Sequence, residues 1–225
     1  MNTTIELVNE WGRFEATHPG GSIQDFCHHF LAGQKGQELK GKLVGGVVPD
    51  FNDGLLLKII GRISKLNMSY ANMALKGTEL NQIEEFGMLV TIQQQKNPKK
   101  TEVIYANLFE LSSGADMLNR MKERGLIKEY DDKEDKRSKR LELTAKGEKV
   151  VEISHKRIRK NAKMILHDLK EDDKNLCIHL LKNIEIKLSA LWPQHRGKNF
   201  EEVYNSLVEK ETKLVPEINK AKRKV

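Results

Sequence analysis

Two runs of this chain carry side chains able to work on a charged, grooved surface. The first is Ser112, Ser113, Asp116, Asn119 and Arg120; the second is the charged stretch holding Lys133, Asp135, Lys136, Arg137, Lys139 and Arg140. Hydroxyl, carboxamide and guanidinium groups at the first spacing share one side of a helix, where they can hydrogen-bond base edges and phosphates. Lysine and arginine in the second can neutralise phosphate. That stretch is mixed in sign, because Asp131, Asp132, Glu134 and Asp135 lie among its cations. Its placement therefore matters more than its charge: it follows a helix ending at Gly125-Leu126-Ile127 and precedes Leu141-x-Leu143-Thr144-x-x-Gly147. Duplex DNA is the surface that such an arrangement suits.

The elements that must position these groups follow from periodicity. After Asn97-Pro98 a short helix is expected from about Thr101 to Leu108, then a tight turn, then a longer helix from about Ser112 to Arg124 with Ala115, Leu118 and Met121 on its apolar face. Gly125 suits a left-handed helix cap. Leu126 to Tyr130 alternates as a strand and Arg140 to Leu143 as its return partner, leaving a tip from Asp131 to Lys139 that is longer than usual hairpin turns. Thr144 is the expected N-cap of a long helix to about Leu169, with Val150, Ile153, Ile158, Ile165 and Leu166 apolar. A further helix is expected from Glu171 to Trp192, ended by Pro193.

Upstream, Ile5, Val8, Trp11 and Phe14 recur at helical spacing until Pro19-Gly20-Gly21. A second helix begins at the N-cap Ser22, with Asp25 three residues on and Ile23, Phe26, Cys27, Phe30 and Leu31 apolar. Gly33 to Gly54 is glycine-rich, contains Pro49 and is expected to be irregular. Leu55 to Lys76 is dense in apolar residues, as in a helix buried on more than one side. Thr78 is the expected N-cap of a helix from Leu80 to Asn97. From Phe200 one more helix is expected before Pro216, with Lys220, Lys222, Arg223 and Lys224 as a solvated end.

The expected fold class is mainly α with a small β-hairpin: a helix-turn-helix unit followed by the hairpin, with long dimerisation helices, which the resemblance given below makes a winged helix-turn-helix core. The corresponding segments are an N-terminal helical extension and linker (1–54), a scaffold helix (55–79), the winged core (80–147), dimerisation helices (148–192) and a C-terminal extension (193–225). Apolar helices outside the core must bury their faces elsewhere, and a two-fold homodimer does this while presenting two recognition helices to successive major grooves.

Composition narrows the function classes. The net charge of +7 favours an anionic partner, although 39 basic residues sit among 32 acidic ones and most belong to solvated helix faces. Apolar runs such as Leu55 to Ile60 fall far short of the roughly 20 residues of a membrane span, and the N-terminus lacks a secretory pattern, so a cytoplasmic protein is expected. Cys27 and Cys177 fall on apolar helical faces, where buried thiols act as small hydrophobes. Neither they nor the nearby histidines have paired metal-ligand spacing, so no metal or cofactor is expected. There is no phosphate-binding glycine loop, His-Glu-x-x-His or nucleophile motif, which argues against an enzyme.

Arg120-Met121-Lys122-Glu123-Arg124-Gly125-Leu126-Ile127, Asp135-Lys136-Arg137 and Leu141-x-Leu143-Thr144-x-x-Gly147 together resemble the winged helix-turn-helix core of the MarR-type transcriptional regulators. With flanking helices the resemblance runs from about Leu55 to Trp192. It implies a dimer on a palindromic operator, Arg137 reaching into the minor groove, Asp135 holding the wing in shape, and Ser112, Ser113, Asp116 and Asn119 on the recognition helix, with Arg120 on phosphate or packed. It also implies a small aromatic effector. Asp116 departs from the basic or neutral polar residue usual there, and the extensions at both ends are larger than the family core. Two other readings stay open: a winged-helix interaction scaffold that does not bind DNA, and a peroxide sensor working through Cys27 or Cys177.

Overall fold

The computed structural model describes residues 3–33, 43 and 46–208. The chain forms two compact units, Met1–Arg62 and Ile63–Val225. In the first, α1 (Thr3–Thr17) and α2 (Ile23–Gly33) form a hairpin. The expected cap at Ser22 is present: its Oγ accepts the Asp25 N–H at 3.1 Å, while Asp25 Oδ2 accepts the Ser22 N–H at 2.8 Å. Phe14 and Phe26 are the buried residues of these helices, their rings 5.6 Å apart, with Trp11 against both. Two helices cannot enclose more, and Cys27 is exposed rather than buried. Most of the expected irregular stretch after Gly33 lies outside the described residues.

Helix α3 (Asn52–Leu75) begins at Asn52 rather than Leu55. Of its residues only Ala71 and Leu75 are buried, so the expected burial on several sides does not occur, and Ile63, Leu66 and Met73 are exposed. Thr78 closes this helix instead of opening the next. Its hydroxyl donates to the Leu75 carbonyl at 2.7 Å and accepts the Leu80 N–H at 3.1 Å. Helix α4 (Ile83–Gln95) accordingly starts later, with its Ile83 N–H satisfied by Asn72 Oδ1 at 2.7 Å.

The remaining order is α5 (Lys100–Ala106), α6 (Leu111–Glu123), β1 (Ile127–Asp131), β2 (Lys139–Leu143), α7 (Ala145–Ile165) and α8 (Glu171–His195). The strands are antiparallel, with Ile127 opposite Leu143 and Asp131 opposite Lys139, so the tip proper is residues 132–138. An added bridge joins Lys99 to Arg140, and the Leu141 N–H bonds the Pro98 carbonyl at 3.0 Å, so the approach to α5 borders the hairpin as a minimal third strand. Helix α7 stops at Ile165, short of Leu169. Pro193 does not end α8, which runs on to His195, and the Arg196 N–H bonds the Trp192 carbonyl at 3.0 Å. Residues 200–208 are helical; the continuation to Pro216 and Lys220, Lys222, Arg223 and Lys224 lie outside the described residues.

One core joins these elements. Met88, Leu89 and Ile92 of α4, Val103 and Ile104 of α5, Met117, Leu118 and Met121 of α6 meet Leu126, Ile127, Leu141 and Leu143 of the hairpin and Val150 and Val151 of α7. Helix α8 contributes nothing to it and has no buried residue, so Cys177 is exposed, against expectation.

The Leu-Thr-x-x-Gly signature is where the hairpin, α6 and α7 are locked together. Gly125, at φ +72°, takes the left-handed cap that ends α6. The Leu126 carbonyl accepts the Thr144 N–H at 3.1 Å, and the Thr144 hydroxyl donates to the Gly125 carbonyl at 2.7 Å. The same hydroxyl caps α7 by accepting the Gly147 N–H at 3.0 Å. A Cβ on residue 147 would stand 2.1 Å from the Leu126 oxygen. Gly147→Ala should therefore destabilise the chain by about 3 kcal/mol, at the upper end for overpacking because backbone must move. Gly61→Ala, within α3 where a Cβ meets nothing within 4 Å, should instead stabilise by roughly 0.5–1 kcal/mol. Urea denaturation of both variants checks the opposite signs.

Candidate nucleic-acid interface

Helices α5 and α6 pack through a close contact. A Cβ on Gly114 would lie 2.5 Å from Ile104 Cγ2, so only glycine lets α6 press this closely onto α5. The turn between them passes through Leu108 at φ 59°, and the Phe109 N–H bonds the Ile104 carbonyl at 3.1 Å. With Gly114, Met117, Leu118 and Met121 facing inward, Ser112, Ser113, Asp116 and Arg120 are exposed and Asn119 is half-buried. Ala115, expected on the buried face, is only partly covered.

The far end of α6 is held by Arg124. Its guanidinium meets Glu85, 1% exposed, at 2.6 Å and also donates to the carbonyls of Glu79 and Arg120. Glu85 in turn accepts the Asn81 N–H at 2.9 Å, fastening α6 to the start of α4. Nothing in sequence spacing signals this pair. A second group, also unannounced, ties α5, α6 and β1. Lys100 Nζ donates to Asn119 Oδ1 at 2.9 Å and to Glu129 at 3.1 Å, and Lys122 reaches the same Glu129 oxygen at 3.3 Å. Partial burial pushes the Glu129 carboxyl up, but hydrogen bonds and charge from Lys100 and Lys122 outweigh it and hold it below its ordinary value.

The wing sorts its charges. Asp132, 2% exposed, accepts the Glu134 N–H at 2.8 Å and the Asp135 N–H at 3.0 Å on one oxygen, and Arg140 binds the other. Arg140 also donates to the Asn97 carbonyl at 2.7 Å, so it anchors the wing to the loop before α5. Asp131 is paired with Lys139. Asp135 accepts the Arg137 N–H at 3.1 Å and the Ser138 hydroxyl at 2.8 Å, folding the tip. Lys133, Lys136 and Arg137 are exposed and form no ion pair among the described residues. Arg137 shares a cleft of about 160 Å³ with Leu111 and Ala115, so the wing tip and the first turns of α6 border one concavity.

This arrangement offers a helix face of hydroxyls, one carboxylate and one guanidinium beside a loop whose unpaired side chains are three cations, Lys133, Lys136 and Arg137, and one carboxylate, Glu134. Among the described residues no three His, Cys, Asp or Glu side chains are grouped to hold a metal ion, and no helix is long and apolar enough to cross a membrane.

Asp132 gives the wing a pH dependence. Hydrogen bonds from the Asp135 and Glu134 amides, then Arg140, lower its carboxyl from an ordinary 3.8 to about 2 despite burial. Because the folded value lies below the unfolded one, its contribution is complete above about pH 4 and is lost as pH falls toward 2. Amide protection at Glu134 and Asp135 should fall across that window, and Asp132→Asn should flatten the dependence.

The winged helix DNA-binding domain family matches residues 84–147. Among curated proteins no match is found. Solved structures share the fold. A mutant MarR from E. coli, complexed with operator DNA, is 20% identical with a TM-score of 0.54, covering 57% of this chain and 92% of its own. The PcaV transcriptional regulator from Streptomyces coelicolor, in complex with its natural ligand, is 19% identical with a TM-score of 0.51, covering 57% and 89%. A MarR-family regulator from Rhodococcus sp. is 18% identical with a TM-score of 0.55, covering 60% and 96%. Residues 84–147 are thus similar to the winged helix DNA-binding domain, and the chain shares the fold of the MarR-type structures.

Proposed function

We propose that this protein is a homodimeric, sequence-specific transcriptional regulator that binds a palindromic duplex and answers to a small effector. The observation that carries the DNA reading is the charge partition of the wing. Asp131, Asp132 and Asp135 are engaged within the hairpin, while the exposed Lys133, Lys136 and Arg137 outnumber the one unengaged carboxylate of the tip, Glu134, and Arg137 borders α6. The free side chains of the tip are therefore mainly cationic, which also weakens the scaffold alternative. Arg137 enters the minor groove, where negative potential concentrates; Lys133 and Lys136 meet phosphates; Ser112, Ser113, Asp116, Asn119 and Arg120 face the major groove. Lys139, Arg140 and Asp135 act by shaping the wing.

Dimerisation is supported by apolar surface that the protomer leaves uncovered. Ile178, Leu180, Ile184, Ile186 and Leu188 of α8 are each at least half exposed, and Ile63, Leu66 and Met73 of α3 are exposed too. Leu180, Ile184 and Leu188 recur every four residues and so form one apolar stripe, and an exposed apolar stripe marks association. For the effector, the cleft of about 460 Å³ lined by Gln93, Val151, Glu152, His155, Lys156 and Arg159 offers Arg159 to an anionic group and the His155 ring to an aromatic one, Lys156 being paired with Glu152.

Arg137→Ala should weaken binding to a specific duplex by roughly 1–3 kcal/mol at fixed salt, with an unchanged dimer mass by sedimentation equilibrium. Unaltered affinity would remove Arg137 from the interface. A second variant, Leu180→Lys with Ile184→Lys, should instead give monomers; a dimer mass that persisted would exclude α8 from the dimer contact.

A further inference from the structure

Asp116 is the feature of α6 that a DNA-binding face least explains, since a carboxylate beside phosphates is repelled by them. Two arrangements would make it tolerable: a cationic partner within the protein, or a donor on the DNA. The first is absent. Arg120 stands four residues on, the spacing at which helical ion pairs form, yet Asp116 makes no ion pair or hydrogen bond among the described residues. The other nearby cations are occupied, Lys100 by Asn119 and Glu129 and Lys122 by Glu129. Asp116 is exposed on the face shared by Ser112, Ser113 and Arg120, opposite the buried Gly114, Met117, Leu118 and Met121.

A carboxylate only accepts hydrogen bonds. In the major groove guanine shows two acceptors, thymine an acceptor and a methyl, adenine an acceptor beside its amine, and cytosine its amine alone. Cytosine is thus the one base edge that places no acceptor of its own against a carboxylate. We infer that Asp116 is a specificity determinant that selects a cytosine in each half-site by accepting a hydrogen bond from the N4 amine. The Lys100 contact sharpens this. With one lone pair of its Oδ1 taken by Lys100, half-buried Asn119 has its oxygen held toward α5 and β1, which disfavours the paired donor and acceptor contact by which asparagine selects adenine. Asp116 brings to this face a carboxylate that is not so engaged. Arg120, unpaired, is left for guanine or phosphate.

The inference rests on the DNA-binding reading above, and one experiment separates the two. Duplexes are selected from a random pool with the full-length protein, with Asp116→Ala and with Asp116→Asn. The unaltered chain should enrich a palindrome with one fixed cytosine per half-site whose replacement costs about tenfold in affinity. Asp116→Ala should lose preference at that position alone and still bind the rest of the site. Asp116→Asn, which regains a donor beside an acceptor, should shift the position from cytosine toward adenine. An enriched site whose preferences are the same at every position in both variants would overturn the inference and leave DNA binding standing. No enriched duplex with the unaltered chain would overturn both.

Discussion

The carbonyl of Leu126 fixes three elements on one another. It receives the Thr144 N–H at the exit of β2 and lies where any side chain on residue 147 would have to start. Because Gly125 has just turned the chain out of α6, this one contact sets where α6 ends, where the hairpin begins and how α7 leaves. A site built from a helix and a hairpin works only if both are held to within fractions of an ångström. The junction supplies that constraint through backbone, which substitutions on the exposed face do not touch.

From the junction outward, electrostatics divides structural charges from free ones. Glu85 with Arg124, Glu129 with Lys100 and Lys122, and Asp132 with Arg140 are part-buried clusters that join α4, α5, α6 and the hairpin. Each is satisfied by several hydrogen bonds, which is what keeps a desolvated charge from being a defect. The charged groups left unpaired on α6 and the wing tip are mainly cations, Arg120, Lys133, Lys136 and Arg137, against the carboxylates of Asp116 and Glu134. A net charge of +7 conveys little by itself; its partition by the fold gives it direction.

The parts of this fold legible in the sequence are those set by local chemistry. Ser22 with Asp25, Thr144 with Gly147, and Gly125 each satisfy a helix end within a few residues, so their roles follow from spacing. The expected burial of both cysteines does not occur, because periodicity reports an apolar face without saying what covers it: α2 buries only Phe26 of its face, and α8 buries no residue. Thr78 has the chemistry of an N-cap but spends it on Leu75, since Asn72, across a turn, already serves Ile83. Within the site, exposure along α6 followed from its apolar stripe. The Lys100 and Glu85 clusters did not, because their partners are brought together only by packing of distant segments.

The central claim is that α6 and the wing tip form one DNA-binding face, and salt dependence tests it most directly. Binding to a selected duplex is measured across a range of salt concentrations for the unaltered protein and for a Lys133→Ala, Lys136→Ala double variant. Each phosphate contact removed should lower the magnitude of the slope of log K against log salt by about 0.9, with the fold and dimer mass retained. An identical slope and affinity in the two proteins would contradict the account.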